Sequence, residues 1–149
     1  MESPKPLLLV VDDEPSVRAL LAALGKREGF EVVACDNGSE GIDVLRRRHV
    51  DLMLLDLHMP EVNGLDVLKA TEQTGDSTHV VLMTGQGSID SAVQAVKLGA
   101  EDYLQKPLDL PRVTDTMRSI RQQFERRATI HASDAALAEQ LEFCGMVGR

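Results

Sequence analysis

The chain has 149 residues, 43% hydrophobic and 27% charged, a composition that supports one soluble domain with a sizeable core plus a short extension and excludes disordered and fibrous classes. Sixteen basic residues against 24 acidic ones leave a net charge of −8, with no basic stripe for phosphates, so direct contact with nucleic acid is not expected whereas binding a cation is compatible. Cys35 and Cys144 form no CxxC pair, and "PLLLVV" is too short to span a bilayer and runs straight into acids; no disulfide staple, signal or membrane segment is expected, and the address read from this is cytoplasmic.

The run "LLLVV" (7–11) reads as a first strand. Residues 15–28 then carry Val17, Leu20, Leu21 and Leu24 at helical spacing, with Pro15 suited to a first turn and Gly29 placed to end the helix. "EVVAC" (31–35) is a second strand, and 39–49 a helix with Ile42, Val44 and Leu45. "DLMLL" (51–55) is followed by a helix over 64–72 carrying Leu65, Val67 and Leu68. "HVVLM" (79–83) precedes a helix over 88–98, with Ser88 as N-cap and Ile89, Ala92, Val93 and Val96 before Gly99. "DYL" (102–104) is a fifth strand. From about residue 109, Val113, Met117, Ile120 and Phe124 mark the apolar face of a last helix. Runs of Val, Leu and Met without polar alternation predict strands covered on both faces. Strands alternating with helices make the fold α/β, a doubly wound five-stranded parallel sheet with right-handed crossovers and helices on both faces.

Residues 1–125 are therefore assigned to one domain. Residues 126–142 read as a helical linker or short coiled coil, with Ile130, Leu137 and Leu141 as sparse apolar positions and Ser133–Asp134 as a point where the helix restarts. Residues 143–149, within the glycine-rich "FCGMVGR", look like the start of something else.

In open parallel sheets, ligands bind outside the carboxyl ends of the strands. Asp12 and Asp13 follow the first apolar run, Asp56 ends the third, Thr84 follows the fourth and Lys106 follows the fifth. Singly, each has an ordinary reading as a capping loop, turn residue, loop start or solvated rim charge. Their conjunction at matching strand ends favours a site. Three neighbouring carboxylates repel one another unless a cation joins them, and an all-oxygen set suits Mg²⁺. With the metal bound, Asp56 stays ionised and can attack phosphorus to form an acyl phosphate. Phosphoryl transfer needs positioning and neutralisation, here from Mg²⁺, the Lys106 ammonium and the Thr84 hydroxyl.

The motifs "VVDDE", "LLDLHMPEVNG", "LMTGQGS" and "EDYLQKP", in that order over roughly residues 5–125, resemble the receiver domain of two-component response regulators. The resemblance implies a flavodoxin-like sheet of order 2-1-3-4-5 and phosphate transfer from a sensor histidine kinase to Asp56. It implies that Asp13 binds Mg²⁺ directly, Asp12 mainly through water, and that the His58 backbone carbonyl completes the protein ligands with Asp56. It places a cis peptide at Lys106–Pro107. It implies that Thr84 moves towards the phosphoryl group and Tyr103 turns inward into the space it vacates, repacking the face of the 88–98 helix, fifth strand and last helix, where a homodimer would form. His58 and Gln86, each two residues beyond a site residue, border the path of attacking water and are expected to tune acyl-phosphate lifetime. His49, His79 and His131 have no ligand spacing and are given no chemistry.

The stretch "TGQGSIDSAVQAVKLGAEDYLQKP" and the closing "GMVGR" further resemble activators of the nitrogen-regulatory type, in which receiver and linker precede an ATPase domain acting on sigma-54 polymerase. No G-x-x-x-x-G-K-[ST] loop occurs in the chain, so the expectation is a regulatory fragment, not itself a classical enzyme. Two rivals are a stand-alone receiver or interaction module, and a haloacid-dehalogenase-type phosphatase. The phosphatase needs a second Asp where His58 stands.

Overall fold

The computed structural model describes residues 4–57, 59, 64–74, 77–85, 93, 96–97 and 99–143. The five apolar runs pair into one parallel sheet: β1 (Leu7–Val11), β2 (Glu31–Cys35), β3 (Leu52–Asp56), β4 (His79–Thr84) and β5 (Asp102–Gln105). The strand order is β2-β1-β3-β4-β5. Register decides what meets at the carboxyl edge. Val11 lies opposite Leu55, Asp56 opposite Met83 and Thr84 opposite Gln105. Asp12, Asp56, Thr84 and Lys106 are thereby delivered to the same edge of the sheet.

Among the described residues four helices pack on this sheet: α1 (Pro15–Arg27), α2 (Gly38–Arg47), α3 (Gly64–Thr74) and α4 (Leu110–Phe143). Pro15 opens α1, where its missing N–H costs nothing, and Gly29 follows its end at φ +93. Asn37 caps α2 by accepting from the Glu40 N–H at 2.9 Å. Leu21 and Leu24 of α1, with Val113, Met117 and Ile120 of α4, pack on Leu8, Val10, Leu52 and Leu54. Val44 and Leu45 of α2, with Val67 and Leu68 of α3, pack on Leu9, Val11, Met53 and Leu55 on the opposite face. Alternate residues of one strand thus serve two cores, which is why the strands show no polar alternation.

The structure departs from expectation in several places. β2 and β5 are edge strands and are only partly buried; their apolar runs match those of the central strands, but neighbours on one side alone leave them open. Leu20 is 38% exposed, off the stripe that α1 buries. Val93 and Val96 are exposed, at 45% and 72%, since spacing alone does not decide burial. Ser88, Ile89, Ala92 and most of the expected 88–98 helix lie outside the described residues, as do residues 144–149 and the side chains of Leu65, Ile130, Leu137 and Leu141. The backbone of α4 is helical for 34 residues, about 50 Å, without a restart at Ser133–Asp134; the surrounding alanines are strong helix formers. No described helix is long and apolar enough to cross a membrane.

Candidate functional site

The carboxyl edge gathers Asp12, Asp13 and Asp56 so that one oxygen of each lies within 4.8 Å of the others. Asp12 is fully buried, Asp56 is 3% exposed and Asp13 is exposed. Backbone pairing fixes these strand ends. The Asp12 N–H donates to the Cys35 carbonyl at 3.1 Å, the Leu57 N–H to Met83 at 2.9 Å, and the Lys106 N–H to Thr84 at 2.7 Å. Thr84 is fully buried at the end of β4. Lys106 reaches in from beyond β5, its Nζ lying 2.8 Å from Asp12 Oδ2 and 3.5 Å from Asp56 Oδ2. The structure brings together Asp12, Asp13, Asp56, Thr84 and Lys106. The Lys106–Pro107 peptide is cis.

Burial alone would lower the Lys106 pKa. Hydrogen bonding to Asp12 and Glu14 and the charges of Asp12 and Asp56 outweigh it, so the ammonium is held above the ordinary lysine value. Asp12 Oδ2 is paired with the Lys106 ammonium at 2.8 Å, but one ammonium stands against the three clustered carboxylates of Asp12, Asp13 and Asp56. The excess negative charge of such a cluster, two of its members buried, is costly unless a further cation joins it. Three hard oxygens around it are a donor set that fits Mg²⁺, so the residues present suit the metal.

His58 and Gln86 lie outside the described residues. Tyr103 packs against the core from β5, and its hydroxyl is buried with no hydrogen-bond partner among the described residues. Glu14, Arg18 and Gly64 were not foreseen as site residues. Glu14 Oε1 accepts from Lys106 Nζ at 3.1 Å, and Arg18 Nη1 donates to the Asp12 carbonyl at 2.9 Å. Gly64 starts α3 directly against the Asp56–Leu57 backbone. The signal for Glu14 was its adjacency in "VVDDE", and for Arg18 its place one helical turn further on.

Residues 8–118 match the family model described as the response regulator receiver domain. The chain belongs to the response regulator receiver domain family. This receiver is 39% identical over 110 residues to transcriptional regulatory protein ZraR of Klebsiella oxytoca, covering 74% of this chain and 25% of that protein. It is 34% identical over 139 residues to regulatory protein LuxO of Vibrio vulnificus, covering 93% of this chain and 30% of that one. It spans well under half the length of these relatives. Among solved structures, the signal receiver domain of a Luxo repressor protein from Vibrio parahaemolyticus superposes with TM-score 0.77 at 29% identity, covering 85% of this chain and 98% of that one. Receivers are signalling modules, and the sheet order here is that of their flavodoxin-like fold.

Proposed function

We propose that this receiver takes a phosphoryl group from a phosphohistidine of a sensor histidine kinase onto Asp56. One observation carries the reading: three carboxylates at one sheet edge, with the Lys106 ammonium 3.5 Å from Asp56 Oδ2. An Asp56 oxygen would form the bond to phosphorus while the phosphorus–nitrogen bond to the donor imidazole breaks, nitrogen keeping the electron pair. Asp13 directly, Asp12 mainly through water, Asp56 and the His58 carbonyl would hold Mg²⁺, which when bound offsets charge on the phosphoryl oxygens. Lys106 and the Thr84 hydroxyl each bond a further phosphoryl oxygen, supplying the neutralisation that this chemistry needs.

The signal would leave through Thr84 and Tyr103. Phosphorylation turns the Asp56 carboxylate into a more negative acyl phosphate with three strong acceptors, which draw Thr84 towards them and repack Tyr103. The Tyr103 hydroxyl is already buried, with no hydrogen-bond partner among the described residues, which supports a switch that changes the bond this hydroxyl makes in place of the expected inward turn. His58 and Gln86 would set the phosphate lifetime.

Residues 1–125 would form the receiver, 126–142 a dimerising linker, and 143–149 the start of an ATPase domain of a sigma-54-dependent transcription activator. The resemblance of the tail and the greater length of the transcriptional regulator ZraR support that context. Phosphorylation would alter a homodimer built on the face of residues 88–98, β5 and α4, or on the linker. Acetyl phosphate with Mg²⁺, followed by intact-mass measurement, tests the central step. One phosphoryl adduct is expected, absent in Asp56→Ala; a wild-type chain that gains no mass would sink the reading.

A further inference from the structure

The Lys106 ammonium has three N–H donors, and three carboxylates surround it: Asp12 at 2.8 Å, Glu14 at 3.1 Å and Asp56 at 3.5 Å. A phosphoryl group on Asp56 brings three strong acceptors, which draw Lys106 towards Asp56 against the pull of the two closer carboxylates, Asp12 and Glu14. Asp12 is poorly suited to yield. It is fully buried, its Oδ1 accepts the Glu14 N–H at 2.9 Å, and Arg18 bonds its carbonyl. Asp56 carries the group itself. Glu14 is different: it occupies the N-cap position of α1, yet its carboxylate caps no backbone N–H and reaches to Lys106. Its side chain is 54% exposed, so water can take over the carboxylate at small cost.

We propose that Glu14 is a positioning residue that holds Lys106 before phosphorylation and competes with the phosphoryl group for it, thereby setting how readily Asp56 is modified. The proposal rests on the phosphoacceptor reading above. An exposed ion pair is worth little in water, so the effect is modest, about two- to fivefold.

The test measures the apparent affinity for beryllofluoride, a phosphoryl mimic, with Mg²⁺, alongside the rate of modification by acetyl phosphate. Glu14→Gln should bind the mimic about two- to fivefold more tightly and react faster by a similar factor, with the urea midpoint lowered by no more than the loss of one exposed ion pair. Glu14→Asp keeps the charge but shortens the reach, so it should behave like Glu14→Gln. If Glu14→Asp matches the wild type while Glu14→Gln does not, Glu14 acts only by repelling anions and the proposal is overturned. Equal affinity in all three chains overturns it as well. Failure of the wild type to bind the mimic or gain phosphate, with Asp56→Asn behaving identically, removes the phosphoacceptor reading and this proposal with it.

Discussion

Cys35, at the end of β2 beside the site edge, shows how position sets reactivity. Burial first, then the Glu40 and Asp36 charges, push its thiol up to about 11 against the opposing pull of Arg47 and Arg18. Since the thiolate is the reactive form, iodoacetamide at pH 8 should modify Cys35 in the folded chain about a hundredfold more slowly than in urea, read by peptide mass. The sign for stability follows: the unfolded thiol ionises first, so stability falls as pH rises from the ordinary thiol value towards 11. Asp13 gives the second prediction at this scale. A metal that binds only the folded chain at a hundred times its dissociation constant stabilises by about 2.7 kcal/mol. Thermal unfolding with and without Mg²⁺ should show an upward shift in the wild type and none in Asp13→Ala.

Glycines separate the elements by what they tolerate. A Cβ at Gly25 would meet Leu8 Cδ2 at 2.6 Å and one at Gly41 would meet Val11 Cγ2 at 2.9 Å, both side-chain atoms and not backbone. A Cβ at Gly64 would meet the Asp56 carbonyl oxygen at 2.5 Å and Leu57 Cα at 2.6 Å, backbone atoms at the very end of β3. Gly64→Ala must therefore move α3 or the strand that carries Asp56. It should cost about 1–3 kcal/mol in urea unfolding and slow phosphorylation, with Gly41→Ala milder on both counts. The sequence announces these elements well because their periods differ. Each strand lies within a residue or so of its apolar run, and Pro15 and Gly29 bracket α1 as their backbone chemistry requires. Edge status is not legible in the same way. "EVVAC" and "DLMLL" look alike, and only strand order tells β2 from β3. The Gly64 constraint is equally hidden, since it depends on a close approach between two elements.

Across the whole molecule, the acids and Lys106 could be anticipated because each ends or follows a strand, and parallel strands share one carboxyl edge. The partners chosen by Glu14 and Glu28 could not, as each depends on side chains about 90 residues away.

Glu28 lies at the other edge of the sheet, where α4 crosses the end of α1. Its carboxylate accepts from Arg118 Nε at 2.8 Å and pairs with Arg27 at 3.5 Å, while Arg121 donates to its carbonyl at 3.1 Å. The hydrogen bond from Arg118, ahead of an opposing desolvation and aided by the Arg118 and Arg27 charges, holds the Glu28 carboxyl below its ordinary value. A lowered carboxylate contributes stability that is present above the unfolded value and is lost as pH falls through the folded one. Glu28→Gln should therefore lower the urea midpoint at pH 7, and the gap to the wild type should close as pH drops below the usual carboxylate range. Arg118→Met should lower the midpoint too, and the double variant should lose less than the two losses added together, because both single changes break one contact. Full additivity at pH 7, or a gap that persists at pH 3, would show that this contact does not fasten α4 to α1.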